Sequence, residues 1–250
     1  MPDPSKSLNT IFLHLRILGF EGIVLLIKRK LFKNRILKVR VKGCLQPIYL
    51  RNGTSDITVF YQIFLKQSYD VDYPFIPVNI IDCGANIGLV SVFFKIKFPQ
   101  AIIVAVEPEI TNFNLLLRNT QSYKDIYCMR AGVWNKETNL LIDNCDSGNW
   151  GFQVKEVDYS NENTVQGISL LYLMKKYNFD KIDVLKIDIE GSEKELFETN
   201  YNNWLPKTKM LFIEIHDRLR EGASKSVFGA ISKYRFSSIK KNENHIFRCD

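Results

Sequence analysis

One short segment, residues 80–91, constrains the fold of this chain more than any other. An apolar strand stops at a glycine turn and opens into a helical pattern: Ile80-Ile81-Asp82-Cys83-Gly84-Ala85-Asn86-Ile87-Gly88-Leu89-Val90-Ser91. Glycine at positions 84 and 88 lets the backbone approach a ligand closely, because neither residue carries a blocking side chain. The segment therefore predicts the first strand–turn–helix unit of a nucleoside-binding α/β domain.

The turn lacks the full glycine pattern of a dinucleotide site, which needs Gly-x-Gly-x-x-Gly. Asn86 and Leu89 occupy the second and third glycine places. An acid two residues before the first glycine, Asp82, instead suits a ligand whose near end carries an ammonium group, and S-adenosylmethionine is such a ligand. A nicotinamide-dependent oxidoreductase remains a distant alternative.

A second apolar strand ends in Glu107-Pro108, and its carboxylate has two oxygens that match the two ribose hydroxyls of a nucleoside. The methionyl group would lie over the Gly84 to Gly88 turn, and Ala131-Gly132 at a third strand end would lie near the adenine. The alternative is structural: Asp82 caps the helix and Glu107 is a solvated strand end.

Two further strands end in clustered acids: residues 182–187 lead into Asp188-Ile189-Glu190-Gly191-Ser192-Glu193, and residues 210–213 lead into Glu214-Ile215-His216-Asp217. In open α/β sheets, ligands bind outside the carboxyl ends of the strands. We therefore expect these acids to converge on one crevice.

Together these motifs resemble the FkbM family of S-adenosylmethionine-dependent methyltransferases over roughly residues 50–217. The resemblance implies a class I methyltransferase (Rossmann-like) α/β fold, a three-layer sandwich whose seven-stranded sheet is mostly parallel with one antiparallel strand. It also implies methyl transfer, usually to oxygen on sugars or natural products. The cofactor-binding residues expected are Asp82, Gly84, Asn86, Gly88, Glu107, Pro108, Ala131 and Asp188.

Methyl transfer to a hydroxyl needs a proton acceptor or a metal, since a sugar hydroxyl does not ionise at neutral pH. The catalytic candidates are His216, Asp188, Glu190 and Glu214, with His216 preferred as base because imidazole titrates near neutrality. Asp188 and Glu214 would also suit Mg²⁺ or Mn²⁺. In the metal-free alternative Asp188 holds the methionyl ammonium, Glu190 helps to bind substrate and His216 acts alone.

The net charge of +7 is concentrated in residues 1–50, which hold ten basic and two acidic residues. The remaining chain is nearly neutral, which argues against a nucleic-acid substrate, because phosphate contacts supply most of the affinity in such enzymes. We expect an N-terminal helical appendage over residues 1–50 and a methyltransferase domain over 51–250.

Two interpretations of the basic segment stay open. Residues 8–42 either lie on an anionic membrane as an amphipathic helix pair, or pack as a helical hairpin on the domain or a second subunit, which we favour. The apolar run is too short and interrupted to span a bilayer. Five scattered cysteines favour a reducing compartment, so a cytoplasmic protein is expected, with a peripheral position at the inner membrane face as an option.

The remaining segments carry secondary predictions. A helix from Thr54, Ser55 or Asp56 towards Lys66 is expected to form a lid, residues 126–133 a third strand, and residues 227–248 a closing hairpin without chemistry. Trp150 and Phe152 would stack on a sugar or fill a small satellite core. The alternative function is that of a protein with the same fold that binds the cofactor but does not catalyse a reaction.

Overall fold

The computed structural model describes the backbone of residues 4–143 and 153–249, and their side chains from residue 11 onward except at 143; Cys145, Trp150 and Phe152 fall outside it. The helices are α1 (Pro4–Leu18), α2 (Phe20–Leu31), α3 (Asp56–Phe60), α4 (Leu89–Lys97), α5 (Ile110–Thr120), α6 (Leu170–Lys176), α7 (Glu193–Glu198) and α8 (Ala223–Ile231). The strands are β1 (Ile36–Val39), β2 (Ile48–Arg51), β3 (Asn79–Cys83), β4 (Ile102–Val106), β5 (Ile126–Met129), β6 (Gly132–Val133), β7 (Thr138–Asp143), β8 (Gln153–Val157), β9 (Thr164–Ile168), β10 (Ile182–Ile187), β11 (Thr208–Ile213), β12 (Phe236–Lys241) and β13 (Asn244–Cys249).

Seven strands form the central sheet in the order β12-β13-β11-β10-β3-β4-β5. Strand β13 is antiparallel to both of its neighbours, and the other pairs are parallel. The near-continuous apolar runs of β3, β4, β10 and β11 suit strands that are buried on both faces. The predicted sheet, mostly parallel with one antiparallel strand, is confirmed.

Successive residues of these strands feed two separate cores, because side chains alternate across a sheet. Ile80 and Val184 pack with α4 on one face, whereas Ile81 and Leu185 pack with α6, α7 and α8 on the other. The result is the three-layer sandwich expected from the sequence.

The order of the strands reverses between β3 and β10. From β3 the chain moves to β4 and β5 on one side, and from β10 it moves to β11 on the other. A crevice opens outside the carboxyl ends of strands at such a reversal, since the loops diverge there. Residues that follow β3 and β10 are therefore placed to bind a ligand.

The N-terminal segment contains α1, α2 and an antiparallel β1–β2 pair. Its buried side chains, among them Leu18, Leu25, Leu37 and Leu50, belong to the same core as Ile80. The inner side of the segment thus packs on the domain, and the division at residue 50 stays a prediction. Along the described chain, no helix is both long and apolar enough to cross a bilayer.

Three local predictions need correction. The strand expected over 126–133 is wrong as one element, because β5 ends at Met129 and Gly132–Val133 pairs with β9 in a separate four-stranded sheet. The closing hairpin begins only at Phe236, since residues 223–231 form α8. The helix expected to reach Lys66 changes at Tyr61–Leu65 into a π-helical turn, a form frequent at functional sites.

Candidate functional site

Two adjoining cavities lie at the carboxyl ends of β3, β4, β10 and β11. The larger has a volume of about 370 Å³ and the smaller about 70 Å³. Their walls share Gly84, Asn86, Asp188 and Glu190, so the two spaces meet between the turn after β3 and the turn after β10. The convergence of strand ends expected from the sequence is observed.

The glycine turn is shaped by close backbone contact across the strand reversal. A Cβ atom on Gly84 would lie 1.8 Å from the carbonyl oxygen of Asp188, and Gly84 has a φ of +73°. Both features require glycine there. The backbone N–H groups of Gly84 and Ala85 donate to the Val106 carbonyl, which joins the turn to β4. Gly88 is the N-cap residue of α4 and does not line either cavity.

Glu107 lies in the wall of the smaller cavity, where it accepts two backbone hydrogen bonds. The N–H groups of Asn86 and Glu109 donate to its two oxygens at 2.8 and 3.1 Å. Burial raises the pKa of Glu107 to about 7, although these hydrogen bonds oppose the shift. The expected neighbours Pro108 and Ala131 line the same cavity.

Asp82 does not reach either cavity, although the sequence placed it beside the ligand. Its carboxylate is fully buried, accepts a hydrogen bond from the Ser91 hydroxyl at 2.6 Å, and lies 3.4 Å from the Lys186 ammonium. The structure therefore makes Asp82 a support beneath the glycine turn.

Lys186 was missed by the sequence interpretation as a site residue. Its buried Nζ donates to the carbonyls of Gly84 at 2.6 Å and Cys83 at 3.2 Å, and lies 3.5 Å from Asp188. Burial lowers the pKa of Lys186, but the carboxylates of Asp188 and Asp82 outweigh it and raise the pKa overall. The signal was present: β10 is apolar except for Asp183 and Lys186, and Lys186 lies near its carboxyl end.

His216 follows β11 and faces a group of carboxylates on one side of its ring. Its Nε2 lies 3.4 Å from Glu214, 3.7 Å from Asp188 and 3.7 Å from Glu190. The histidine and the three acids are the four catalytic candidates, and the structure brings them together at the junction of the cavities. The ring is buried, and its Nε2 faces Asp188 and Glu190, which line both cavities.

Glu193 holds the other nitrogen of the same ring. The Nδ1 of His216 lies 3.1 Å from its Oε1, and the backbone N–H groups of Ile189 and Gly191 donate to the same carboxylate. Glu193 is completely buried. One side chain thus fixes both the turn after β10 and the orientation of His216, a role that the sequence interpretation did not assign.

Close contacts within this cluster strongly shift the pKa values of two of its members. Burial lowers the pKa of His216, but hydrogen bonds to Glu193 and Glu214 and the neighbouring charges outweigh it and raise the pKa to about 11. Burial and the charge of Asp188 raise the pKa of Glu190 to about 7. Glu190 also adopts a φ of +52°, which is uncommon outside glycine and often marks a functional site.

Three side chains of the cluster have the geometry of a potential divalent-cation site. Single ligand atoms of Asp188, Glu214 and His216 all lie within 4.8 Å of one another. Glu193 on the far ring nitrogen resembles the carboxylate that commonly orients a metal-bound histidine. The residues fit Mg²⁺ or Mn²⁺, so the metal expectation for Asp188 and Glu214 stays a prediction.

The far wall of the larger cavity is polar and comes from two segments, the one predicted to form a lid and the closing hairpin predicted to be structural. The polar side of α3 and the π-helical turn lines it, while Phe60 and Phe64 point into the core rather than over the cavity. The β12–β13 turn completes the wall, where Glu243 accepts a hydrogen bond from Gln62 at 2.7 Å. The polar lining residues of these segments are Ser55, Thr58, Gln62, Asn242, Glu243 and Asn244, and Arg218 from the segment after β11 lines the same cavity.

The strand order, the glycine turn after β3 and the acidic end of β4 define a class I methyltransferase fold, as expected. The model of the methyltransferase FkbM domain matches residues 82–238. This chain belongs to the FkbM methyltransferase family.

Curated relatives are distant. Methyltransferase 1 of Beauveria bassiana (strain ARSEF 2860) is 24% identical over 158 residues, covering 54% of this chain and 63% of the relative. Methyltransferase sdnD of Sordaria araneosa is 26% identical over 175 residues, covering 56% and 67%. The chain thus matches less than two thirds of the first relative's length.

Solved structures show similar folds at low identity. The methyltransferase FkbM from Methylobacillus flagellatus KT is 15% identical with a TM-score of 0.49, covering 75% of this chain and 47% of that one. Fibrillarin from Aeropyrum pernix, in complex with natively bound S-adenosyl-L-methionine, is 11% identical with a TM-score of 0.42, covering 86% and 82%.

Proposed function

We propose that this protein is an S-adenosylmethionine-dependent O-methyltransferase that acts on a hydroxyl group of a sugar, glycan or glycosylated metabolite. One observation carries the proposal: two cavities meet at Asp188 and Glu190, with the Nε2 of His216 within 3.7 Å of both carboxylates. A donor in one space and an acceptor in the other would meet beside a group able to take a proton.

The smaller cavity suits the nucleoside part of the donor. Glu107 would accept hydrogen bonds from the ribose hydroxyls, and Ala131 would contact the adenine. Among the described residues, Asn86 Oδ1 has no hydrogen-bond partner although it is buried between the two cavities. Such an atom is costly unless a ligand supplies a donor, which supports a bound polar group.

Asp188 would receive the methionyl ammonium, since its carboxylate lies in both cavity walls. The bound donor supplies an electrophilic methyl group on a sulfonium. Lys186 holds the Gly84 carbonyl and thereby the turn over which the methionyl group would lie. Alignment of the two reacting atoms provides much of the acceleration in such a displacement.

His216 would accept the proton of the acceptor hydroxyl through Nε2, because Glu193 fixes Nδ1 on the opposite side. In the unliganded protein its raised pKa leaves the ring protonated at neutral pH. A cationic donor beside Asp188 would oppose that proton and lower the pKa of the ring. Glu190, which shares the junction, is the alternative base.

The polar far wall supports a hydroxylated acceptor. Hydroxyl and amide groups of Thr58, Gln62, Asn242 and Asn244 offer both donors and acceptors to the larger cavity. A sugar presents the same mixture around its ring. An aromatic hydrocarbon acceptor would leave these groups without partners, at a free-energy cost.

Calorimetric titration separates the cofactor hypotheses. We expect S-adenosylmethionine and S-adenosylhomocysteine to bind, and NAD not to bind. Transfer of a labelled methyl group to an extract of candidate glycans then identifies the acceptor. Binding of the donor without transfer to any acceptor would support a non-catalytic binding protein, and binding of neither nucleotide would overturn the proposal.

Removal of the imidazole tests the assigned base. We expect His216→Ala to leave S-adenosylhomocysteine affinity nearly unchanged and to lower kcat by about a hundredfold or more, because general-base catalysis contributes on that order. The control is His245→Ala, which removes an imidazole outside both cavities. If His216→Ala retains turnover and Glu190→Gln loses it, the general base is Glu190.

A further inference from the structure

The helical hairpin of α1 and α2 carries an exposed apolar surface, here called the outer face. Phe12 is 70% exposed, Phe20 77% and Leu31 69%. Large apolar side chains seldom gather on a free surface unless that surface meets another apolar phase. The outer face comprises Ile11, Phe12 and Leu15 of α1 and Phe20, Ile27 and Leu31 of α2.

The spacing of these residues places them on one side of each helix. Positions 20, 27 and 31 are separated by seven and four residues, which returns the chain to the same side of an α-helix. Positions 11, 12 and 15 likewise form one stripe of α1. Packing on the domain uses the opposite sides of the helices, through Leu13 and Ile17 of α1 and Leu25 of α2, so it does not cover the outer face.

Exposed basic side chains accompany the outer face, namely Arg16, Lys30, Lys33 and Arg35. The whole segment of residues 1–50 has ten basic and two acidic residues. We propose that the outer face docks on the surface of an anionic lipid bilayer. Apolar side chains would enter the interface while the basic side chains contact lipid phosphates.

Charge argues against a second copy of the chain as the occupant. A twofold dimer through this surface would bring two strongly basic segments together, because the same patch meets itself. Like charges at such an interface oppose association. A bilayer with acidic lipids supplies both the apolar phase and the opposite charge.

The hairpin is attached directly to the wall of the larger cavity. Arg29 Nη1 donates to the Tyr61 hydroxyl at 2.7 Å, and the ring of His14 packs edge-on against Tyr61 at 4.9 Å. Tyr61 opens the π-helical turn whose next residues, Gln62 and Ile63, line that cavity. Docking would therefore bring the cavity close to the membrane surface.

Vesicle co-sedimentation with the full chain tests docking independently of methyl transfer. The probes are vesicles of phosphatidylcholine alone and of phosphatidylcholine mixed with phosphatidylglycerol. We expect binding to the anionic vesicles to exceed binding to the neutral ones, and to weaken with added salt because surface charges are screened.

Two variants locate the surface. Phe12→Ser/Phe20→Ser/Leu31→Ser and Lys30→Glu/Lys33→Glu should each reduce binding to anionic vesicles by about tenfold or more. The matched controls are Ile76→Ser, which changes an exposed apolar residue elsewhere, and Lys124→Glu/Lys181→Glu, which reverses two exposed charges near the start of β5 and β10. Both controls should bind like the unchanged protein.

Circular dichroism and calorimetric binding of S-adenosylhomocysteine confirm that each variant is folded. The proposal is overturned if the unchanged protein does not bind anionic vesicles, or if the controls lose binding as much as the outer-face variants. It is also overturned if light scattering shows a dimer that the outer-face variant dissociates while vesicle binding is absent. Donor binding that fails while vesicle binding persists would contradict only the proposed function.

Discussion

Glu107 shows how one buried carboxylate prepares the smaller cavity for a ligand. Its two oxygens are held by backbone N–H groups on opposite sides, from Asn86 and Glu109. The remaining lone pairs can accept from a ligand without a rearrangement of the side chain. Because burial raises its pKa to about 7, the carboxyl is partly protonated at neutral pH before a ligand binds.

This pKa predicts that donor affinity falls as the pH decreases. The ionised carboxylate would accept hydrogen bonds from both ribose hydroxyls of the proposed donor, whereas the protonated form has lost acceptor capacity. Binding would therefore expel a proton below about pH 7. We expect S-adenosylhomocysteine affinity to fall by up to about tenfold per pH unit below that value. Calorimetric titration over a pH series measures the change.

Glu107→Gln is the matched variant, since glutamine keeps the shape but does not titrate. We expect it to bind about tenfold or more weakly at pH 8, through loss of a charge-assisted hydrogen bond, and to show a shallower dependence on pH. An identical pH slope in both proteins would contradict the assignment of Glu107.

Asp82 and Lys186 illustrate a second residue-scale result. The sequence analysis placed Asp82 beside the ligand and did not assign Lys186 to the site, whereas in the structure the two residues meet beneath the glycine turn at 3.4 Å. Asp82 is completely enclosed, so its charge acts on Lys186 and Ser91 rather than on the solvent-facing ligand space. The charged pair supports the backbone that a ligand would contact.

At the scale of elements, Glu193 connects the end of β11 with the turn between β10 and α7. It accepts from Ile189 and Gly191 in that turn and from the ring of His216. A glutamine at this position can donate to Nδ1, which would move the ring hydrogen to Nε2. The base would then present a donor where the reaction needs an acceptor.

We therefore expect Glu193→Gln to lower kcat by roughly a hundredfold or more while the KM for the methyl donor changes by less than about threefold. Steady-state kinetics give both constants. Glu195→Gln is the control, because it lies on the same helix and pairs with Arg220 instead of His216. An equal loss of kcat in Glu195→Gln, or a parallel rise in the KM of Glu193→Gln, would show that Glu193 has a structural role alone.

At the scale of the whole molecule, the candidate site exists only where the carboxyl ends of four strands, β3, β4, β10 and β11, meet. Asp188 follows β10, Glu214 and His216 follow β11, and the glycine turn follows β3. Positive charges from Lys186 and His216 already lie within 3.7 Å of these carboxylates. The negative charge of these carboxylates is thus partly neutralised without a metal ion.

For that reason we favour the metal-free alternative over a metal bound by Asp188 and Glu214. Methyl transfer should then persist after exhaustive chelation with EDTA, and added Mg²⁺ or Mn²⁺ should change the rate by less than about twofold. Electron paramagnetic resonance of added Mn²⁺ provides a readout that does not depend on turnover. Loss of activity on chelation, restored by either ion and accompanied by tight Mn²⁺ binding, would instead assign Asp188, Glu214 and His216 as metal ligands.

Much of the fold was predictable because it depends on local patterns. Apolar runs that end in acids identified β3, β4, β10 and β11, and the glycine turn marked a place where the backbone can approach a ligand. The errors occurred where pattern alone is ambiguous. Val133 follows closely on the residues of β5, so the pattern predicts one strand. In the structure β5 ends at Met129, and Gly132–Val133 pairs with β9 instead.

The sequence by itself determined the strands, their acidic ends and the set of residues expected to converge, because apolar runs and the residues that end them are local patterns. The sheet with its one antiparallel strand was implied by the resemblance to the FkbM family. Only the tertiary structure decided the role of each converging residue. It enclosed Asp82, placed Lys186 beneath Gly84, set Glu193 behind His216 and brought the β12–β13 turn against the larger cavity. Burial and the distances between charges depend on packing among segments far apart in the chain, which no local pattern records.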